Sequence, residues 1–193
     1  EAGVQVVIQV VAHGLLLVLL GRIDGARILV NEDNVGFLRA CNQAAEIARG
    51  EYLLLLNNDA TLDAGGVRGA LAVFEGRKDV GAVGAKIRLL SGKLQEAGSI
   101  IWSDGSCLGY GRDWSPDDPR VCFERDVDYC SGAFLLTPRS TWNELGGFDD
   151  SFAPAYYEET DYCVRLQERG LAVVYTPSVQ ITHFEFASSD GGD

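Results

Sequence analysis

The chain has no methionine, only two histidines and only five prolines in 193 residues. Its five cysteines (Cys41, Cys107, Cys122, Cys130 and Cys163) are odd in number, form no C-x-x-C pair and lie far apart. That pattern argues against a disulfide framework and for a reducing, cytoplasmic setting. Basic residues are scarce: 16 Lys plus Arg stand against 28 Asp plus Glu, a net charge of -12. Such a surface disfavours nucleic acid as a partner and admits a small anion only where a cation mediates. Residues 2–21 lack Asp, Glu, Lys and Arg altogether, a length that could span a bilayer. Gln5, Gln9, His13 and Gly14 interrupt that run, however, and no basic residues precede it as they would in a signal peptide. We therefore read "VQVVIQVV" (4–11) as a buried strand and "GLLLVLLGRI" (14–23) as the helix after it. A chain that starts at Glu1 and has no methionine is expected to be a piece of a longer one.

What is present suits one globular domain: 47% of residues are hydrophobic, enough for a sizeable core. Apolar runs near 4–11, 26–30, 51–56, 80–87 and 132–137 predict strands, and 36–48, 63–76 and 138–145 have helical length and pattern. That alternation implies an α/β sheet with helices on both faces. From Ser91 to Val127 the periodicity fails and Gly, Ser, Asp and aromatic residues dominate, with "SPDDP" as a breaker. A hairpin and a long loop over one end of the sheet are expected there. "YYEETDYCVRLQERG" predicts a helix with acidic residues in its first turn and Gly170 after its last. "AVVYTP" supplies a final strand, and "SSDGGD" a mobile end.

Three groups of residues could do chemistry. "EYLLLLNNDATL" (51–62) runs a core strand straight into Asn57, Asn58 and Asp59. In open α/β sheets ligands collect beyond the carboxyl ends of strands, where Asp59 would stand as a metal ligand. The same residues also suit a turn, or a cap for the helix starting near Asp63. Glu158 and Glu159 put two like charges at a helix start, tolerable in water and costly in a cleft unless a proton, a cation or an acceptor hydroxyl offsets them. Asp161 and Arg165 have the spacing of an ordinary ion pair. Of the histidines, His13 suits a turn or core position, whereas His183, just past a strand-like run, could ligate a divalent metal or orient a phosphate.

The order of these features carries more than any one of them. "NVGFLRACNQAAEIARGEYLLLLNND", then "SGAFLLTPRSTWNELGGFDDSFAPAYYEETDYCVRLQERG", then "HFEFASS" resembles the family-2 glycosyltransferases of the GT-A fold, above all the bacterial branch acting on O-antigen and other surface polysaccharides. The resemblance runs from about Asn31 to Gly191. It implies a GT-A, Rossmann-like, mixed and mostly parallel sheet with helices on both faces. It also implies that Asp59 closes a DxD-type triplet begun by Asn57, that His183 is the C-terminal metal ligand, and that Mg²⁺ or Mn²⁺ is the cofactor. Asn34, Gly36 and Asn42 would shape the donor cleft, with Asn57, Asn58, Gly132 and Asp161 also touching substrate. Gly36 suits a helix-start turn equally well. The family's usual Glu-Asp pair falls on Glu158-Glu159, making Glu159, or else Glu158, the base. One departure stands out: of the two strands that hold the nucleotide base in the family, at most the second is visible here, without its aspartate.

The implied activity is inverting transfer of a sugar from a nucleotide-sugar donor to a saccharide or lipid-linked saccharide, with peripheral association with a membrane. Two other readings compete. One is a non-catalytic nucleotide-binding scaffold. The other is a phosphohydrolase using Asp59 as nucleophile, which usually wants further carboxylates and a lysine near the strand ends, where this chain has only Lys78, Lys86 and Lys93 to offer.

Overall fold

The run Tyr52–Asn57 forms a strand because both of its faces are covered. Leu53 and Leu55 point one way, into a cluster with Leu38, Cys41, Trp142, Tyr162 and Leu166, while Leu54 points the other way, against Ala70, Val73 and Phe74. All three leucines are fully buried. Truncating one to alanine would cost about 2–5 kcal/mol through the cavity left behind.

The structure, a computed structural model, describes residues 4–9 and 27–184. Along the chain come β1 (Val4–Gln9), α1 (Gly36–Ile47), β2 (Tyr52–Asn57), β3 (Ala60–Leu62), α2 (Gly66–Gly76) and β4 (Val80–Leu89). An excursion follows with β5 (Leu94–Ala97), the hairpin β6 (Ser99–Ile101) and β7 (Cys107–Gly109), and β8 (Arg125–Asp126). The chain then returns through β9 (Phe134–Pro138), α3 (Arg139–Leu145), α4 (Glu158–Glu168) and β10 (Ala172–His183). Helices α1, α3 and α4 cover one face of the sheet and α2 the other.

The sheet runs β1-β2-β9-β4-β10-β3, with β5 added to β4 and β8 to β10. It is mixed, as expected, but parallel pairing is the minority: β1 with β2 and β4 with β10 are parallel, and the other five pairings are antiparallel. The reason is the excursion. It brings β9 back between β2 and β4 running against both, and it supplies the short β5 and β8 as antiparallel extensions.

Other expectations need adjustment. Residues 27–30 form no strand: Ile28, Leu29 and Val30 are exposed and pair with no described strand. The second helix starts at Gly66 rather than near Asp63, because Gly66 N–H closes a turn onto Asp63 O. β10 continues through His183, well past "AVVYTP", after a register shift against β4 between Thr176 and Gln180. His13, the helix expected over 14–23 and the tail 188–193 lie outside the described residues. Among the described residues no helix is long and apolar enough to cross a membrane, and all five cysteines are free thiols.

Candidate functional site

Asp59 follows the carboxyl end of β2, two residues beyond Asn57, and β2 lies parallel to β1. The carboxylate meets His183 because β3 pairs antiparallel with the last residues of β10, Ala60 opposite His183. Asp59 Oδ1 and His183 Nε2 are 3.0 Å apart and both side chains are close to 90% buried. Asn57 Nδ2 stands 3.4 Å from the same ring nitrogen, and Gln95 Oε1 stands 2.9 Å from the other, Nδ1. Phe184 N–H donates to Asp59 O, holding the turn against β10. Beside them opens a cleft of about 350 Å³, lined by Asn58, Asp59, Ala60, Thr61 and Phe184.

These residues fit a divalent cation. One carboxylate oxygen and one imidazole nitrogen at 3.0 Å match an edge of an octahedron whose bonds are about 2.1 Å long. Carboxylate suits Mg²⁺ and Mn²⁺, and imidazole suits the transition ions. As ligands, the two side chains would leave room for phosphate oxygens and water, the usual arrangement where an ion binds together with its substrate.

The second centre lies at the start of α4. Tyr157 precedes it with φ +79°, a left-handed conformation that a bulky residue rarely adopts. Glu158 is buried, its Oε2 has no hydrogen-bond partner among the described residues, and burial raises its carboxyl above the ordinary range. Burial, and then the Glu158 charge, push Glu159 up to about 7, while the Gly132 N–H beside it acts to lower it. Gly132 has no room for a side chain: a Cβ there would come within 2.8 Å of Phe37 Cζ. Glu96 adds a third carboxylate. Burial, helped by the Glu159 charge, raises it to about 7 against the lowering effect of the Ser131 N–H it accepts at 3.3 Å. The two centres meet through the adjacent residues Gln95 and Glu96, and through Asn57 N–H, which donates to Ala133 O in the turn that carries Gly132.

Several of the residues expected at the substrate also make contacts within the frame. Asn34 Oδ1 accepts from Gly36 N–H, and Gly36 has φ +78°, so both shape the start of α1. Asn42 engages Phe148 at both ends of its amide, Nδ2 donating to Phe148 O at 2.8 Å and Oδ1 accepting from Phe148 N at 3.0 Å. Asp161 pairs with Arg165, whose guanidinium also donates to Leu145 O and Gly147 O. Asn42 is thus tied to the backbone of the "GGF" loop directly, and Asp161 only by way of Arg165. The lysine a phosphohydrolase would want is not supplied by Lys86, which is buried against Pro116 O and Cys122 Sγ.

The sequence reading missed Gln95, Glu96 and Ser131. "LQEAGS" sits in the stretch without periodicity, and nothing local marks its polar residues as buried.

Residues 15–136 match the family model described as Glycosyl transferase family 2. The O-antigen biosynthesis protein RfbC of Myxococcus xanthus is 31% identical over 153 residues, covering 76% of this chain and 12% of its own length. An N-acetylglucosaminyl-diphospho-decaprenol L-rhamnosyltransferase of Mycobacterium tuberculosis is 28% identical over 194 residues, covering 89% of this chain and 62% of its own. Among solved structures, GalNAc-T7 with UDP, GalNAc and Mn²⁺ superposes with a TM-score of 0.65 at 15% identity, over 80% of this chain and 31% of that one. The likeness is one of fold, the GT-A glycosyltransferase arrangement.

Proposed function

Because the chain belongs to glycosyl transferase family 2, we propose that it carries out inverting, metal-dependent transfer of a sugar from a nucleotide-sugar to a hydroxyl of a saccharide or lipid-linked saccharide. The observation that carries this reading is the meeting of Asp59 and His183, 124 positions apart in sequence, at 3.0 Å beside an open cleft. In a chain of net charge -12 a diphosphate needs a mediating cation, and these two side chains would hold Mg²⁺ or Mn²⁺. An ion held there would offset the charge that develops on the departing diphosphate. Asn57 and Asn58 flank the same strand end and would contact the donor.

Glu159 takes the proton of the acceptor hydroxyl as that oxygen bonds to the anomeric carbon and the bond from that carbon to the diphosphate breaks. A carboxyl near 7 suits this work, since a base is most effective when its pKa lies near the working pH. Glu158, with a buried oxygen lacking a partner among the described residues, would accept from a second acceptor hydroxyl. Gly132 keeps the turn opposite Glu159 open, while Asn34, Gly36, Asn42 and Asp161 act through the loops they hold. The relatives' names suit a bacterial surface polysaccharide as product and a lipid-linked acceptor at the membrane surface. The free thiols suit a cytoplasmic setting.

Nucleoside diphosphates with and without Mn²⁺, screened by thermal shift on the parent and on Asp59→Ala, test the donor site. Stabilisation that requires Mn²⁺ in the parent and vanishes in the variant is expected. Equal stabilisation of both would leave Asp59 as a turn residue. Incubation with nucleotide-sugars should then release nucleoside diphosphate, where inorganic phosphate would indicate a hydrolase and binding without turnover a scaffold.

A further inference from the structure

We propose that Gln95 is the positioning residue that decides which ring nitrogen His183 turns toward the cation, an assignment that rests on the reading of Asp59 and His183 as its ligands. The observation behind it is a bulge. β5 pairs with β4 through Ile87 opposite Glu96 and Arg88 opposite Leu94, so one step along β4 spans two along β5 and Gln95 is the extra residue. A regular strand would send Gln95 and Glu96 to opposite faces, whereas bulges re-aim side chains and favour the neighbourhood of active sites. Here both residues are buried. Gln95 Oε1 lies 2.9 Å from His183 Nδ1.

A carbonyl oxygen only accepts, so Nδ1 carries the hydrogen and Nε2 is left with its lone pair. Asn57 Nδ2, a donor, approaches Nε2 at 3.4 Å and agrees with that tautomer. Asp59 Oδ1, 3.0 Å from Nε2, pulls the other way unless a cation lies between them, so Gln95 holds the ring in its ligating form against that pull. Fixing a ligating imidazole through its other nitrogen keeps the ring from turning and raises its basicity. In the opposite arrangement the Gln95 amide NH₂ would face Nδ1, and Nε2–H would donate to Asp59.

Long-range ¹H–¹⁵N spectra of the labelled chain, free of metal and at a pH where imidazole is neutral, read the tautomer directly. The chain has only two histidines, and a His13→Gln variant assigns them. His183 is expected to carry its hydrogen on Nδ1, and a hydrogen on Nε2 in the parent overturns the proposal whatever any variant does. In Gln95→Leu, or Gln95→Met should the first not fold, the Nε2–H form should appear. Mn²⁺ affinity, followed by the free-ion EPR signal, should fall about 10- to 100-fold. Gln95→Glu keeps an acceptor facing Nδ1 and should stay within a few-fold of the parent. If the parent binds Mn²⁺ and the leucine variant binds it equally well, the role of Gln95 is refuted and the cation site stands. A parent that binds no Mn²⁺ refutes the cation site itself, and the role of Gln95 with it.

Discussion

Replacing Glu159 with glutamine should make the protein more stable and less active, and the stability gain should depend on pH. The folded-state carboxyl lies at about 7 against an ordinary 4.5, so between those values the native protein keeps a proton that the unfolded chain has released. Stability therefore falls as pH rises through that window, and the whole cost of the ionised carboxylate is present above it. At about 1.4 kcal/mol per pH unit the cost is roughly 2–3 kcal/mol once the water that reaches the edge of this half-buried side chain is allowed for. Glutamine keeps the shape and removes the charge. Its advantage over the parent should be near zero at pH 4.5 and full by pH 8, about 5–10 °C in Tm for a chain of this length. Thermal melts of both proteins across that range measure the difference directly, and taking the difference cancels most of the titration of Glu96. In the same variant sugar transfer should fall by about 10²-fold or more, with nucleotide and metal binding kept. A Tm difference that does not change with pH, or a variant less stable at pH 8 than at pH 5 relative to the parent, would refute the buried-carboxylate reasoning. Undiminished transfer would remove Glu159 as the base.

Other substitutions probe the surrounding frame. Glu158→Gln should lower transfer less than Glu159→Gln does and weaken acceptor affinity more, read as a KM effect in steady-state assays; the reverse pattern would make Glu158 the base. Asn42→Ala removes both bonds to Phe148 and should cost about 1–3 kcal/mol by denaturant titration, since the backbone groups left behind are partly buried. Gly84→Ala places a Cβ within 2.2 Å of Cys130 Sγ and 2.4 Å of its Cβ. It should destabilise by about 1–3 kcal/mol. Cys130→Ala in the same chain should not relieve the clash, while Cys130→Gly should do so in part.

How far the sequence alone reaches differs from residue to residue. β2 was legible because an uninterrupted apolar run bounded by polar residues has few other solutions in a domain of this size. α4 was legible from its acidic first turn and from Gly170. Asp59 and His183 could be singled out by their positions at strand ends, and their partnership only through the family resemblance, because 124 positions separate them. Strand direction was not legible: the apolar run of β9 reads the same whether it lies parallel or antiparallel to β2. Nothing near Asn42 in sequence shows that Phe148 lies within reach, and the Asp161–Arg165 pair was legible from its spacing while the carbonyls that Arg165 reaches were not. Gln95 and Glu96 were invisible for a sharper reason. Their burial follows from a one-residue slip between two strands, and no period in the sequence encodes such a slip.

The pairing of β3 with the far end of β10 also sets when the site can exist. Asp59 is synthesised 124 positions before His183, and β10 lies inside the sheet between β4 and β3. A nascent chain ending before Ala172 lacks both the imidazole and the strand that carries it into place. Contacts of such wide separation form slowly, since the entropy of closing the loop must be met before they return anything. The meeting of Asp59 and His183 therefore waits until β10 has been made, and a nascent chain that has not yet reached His183 lacks it.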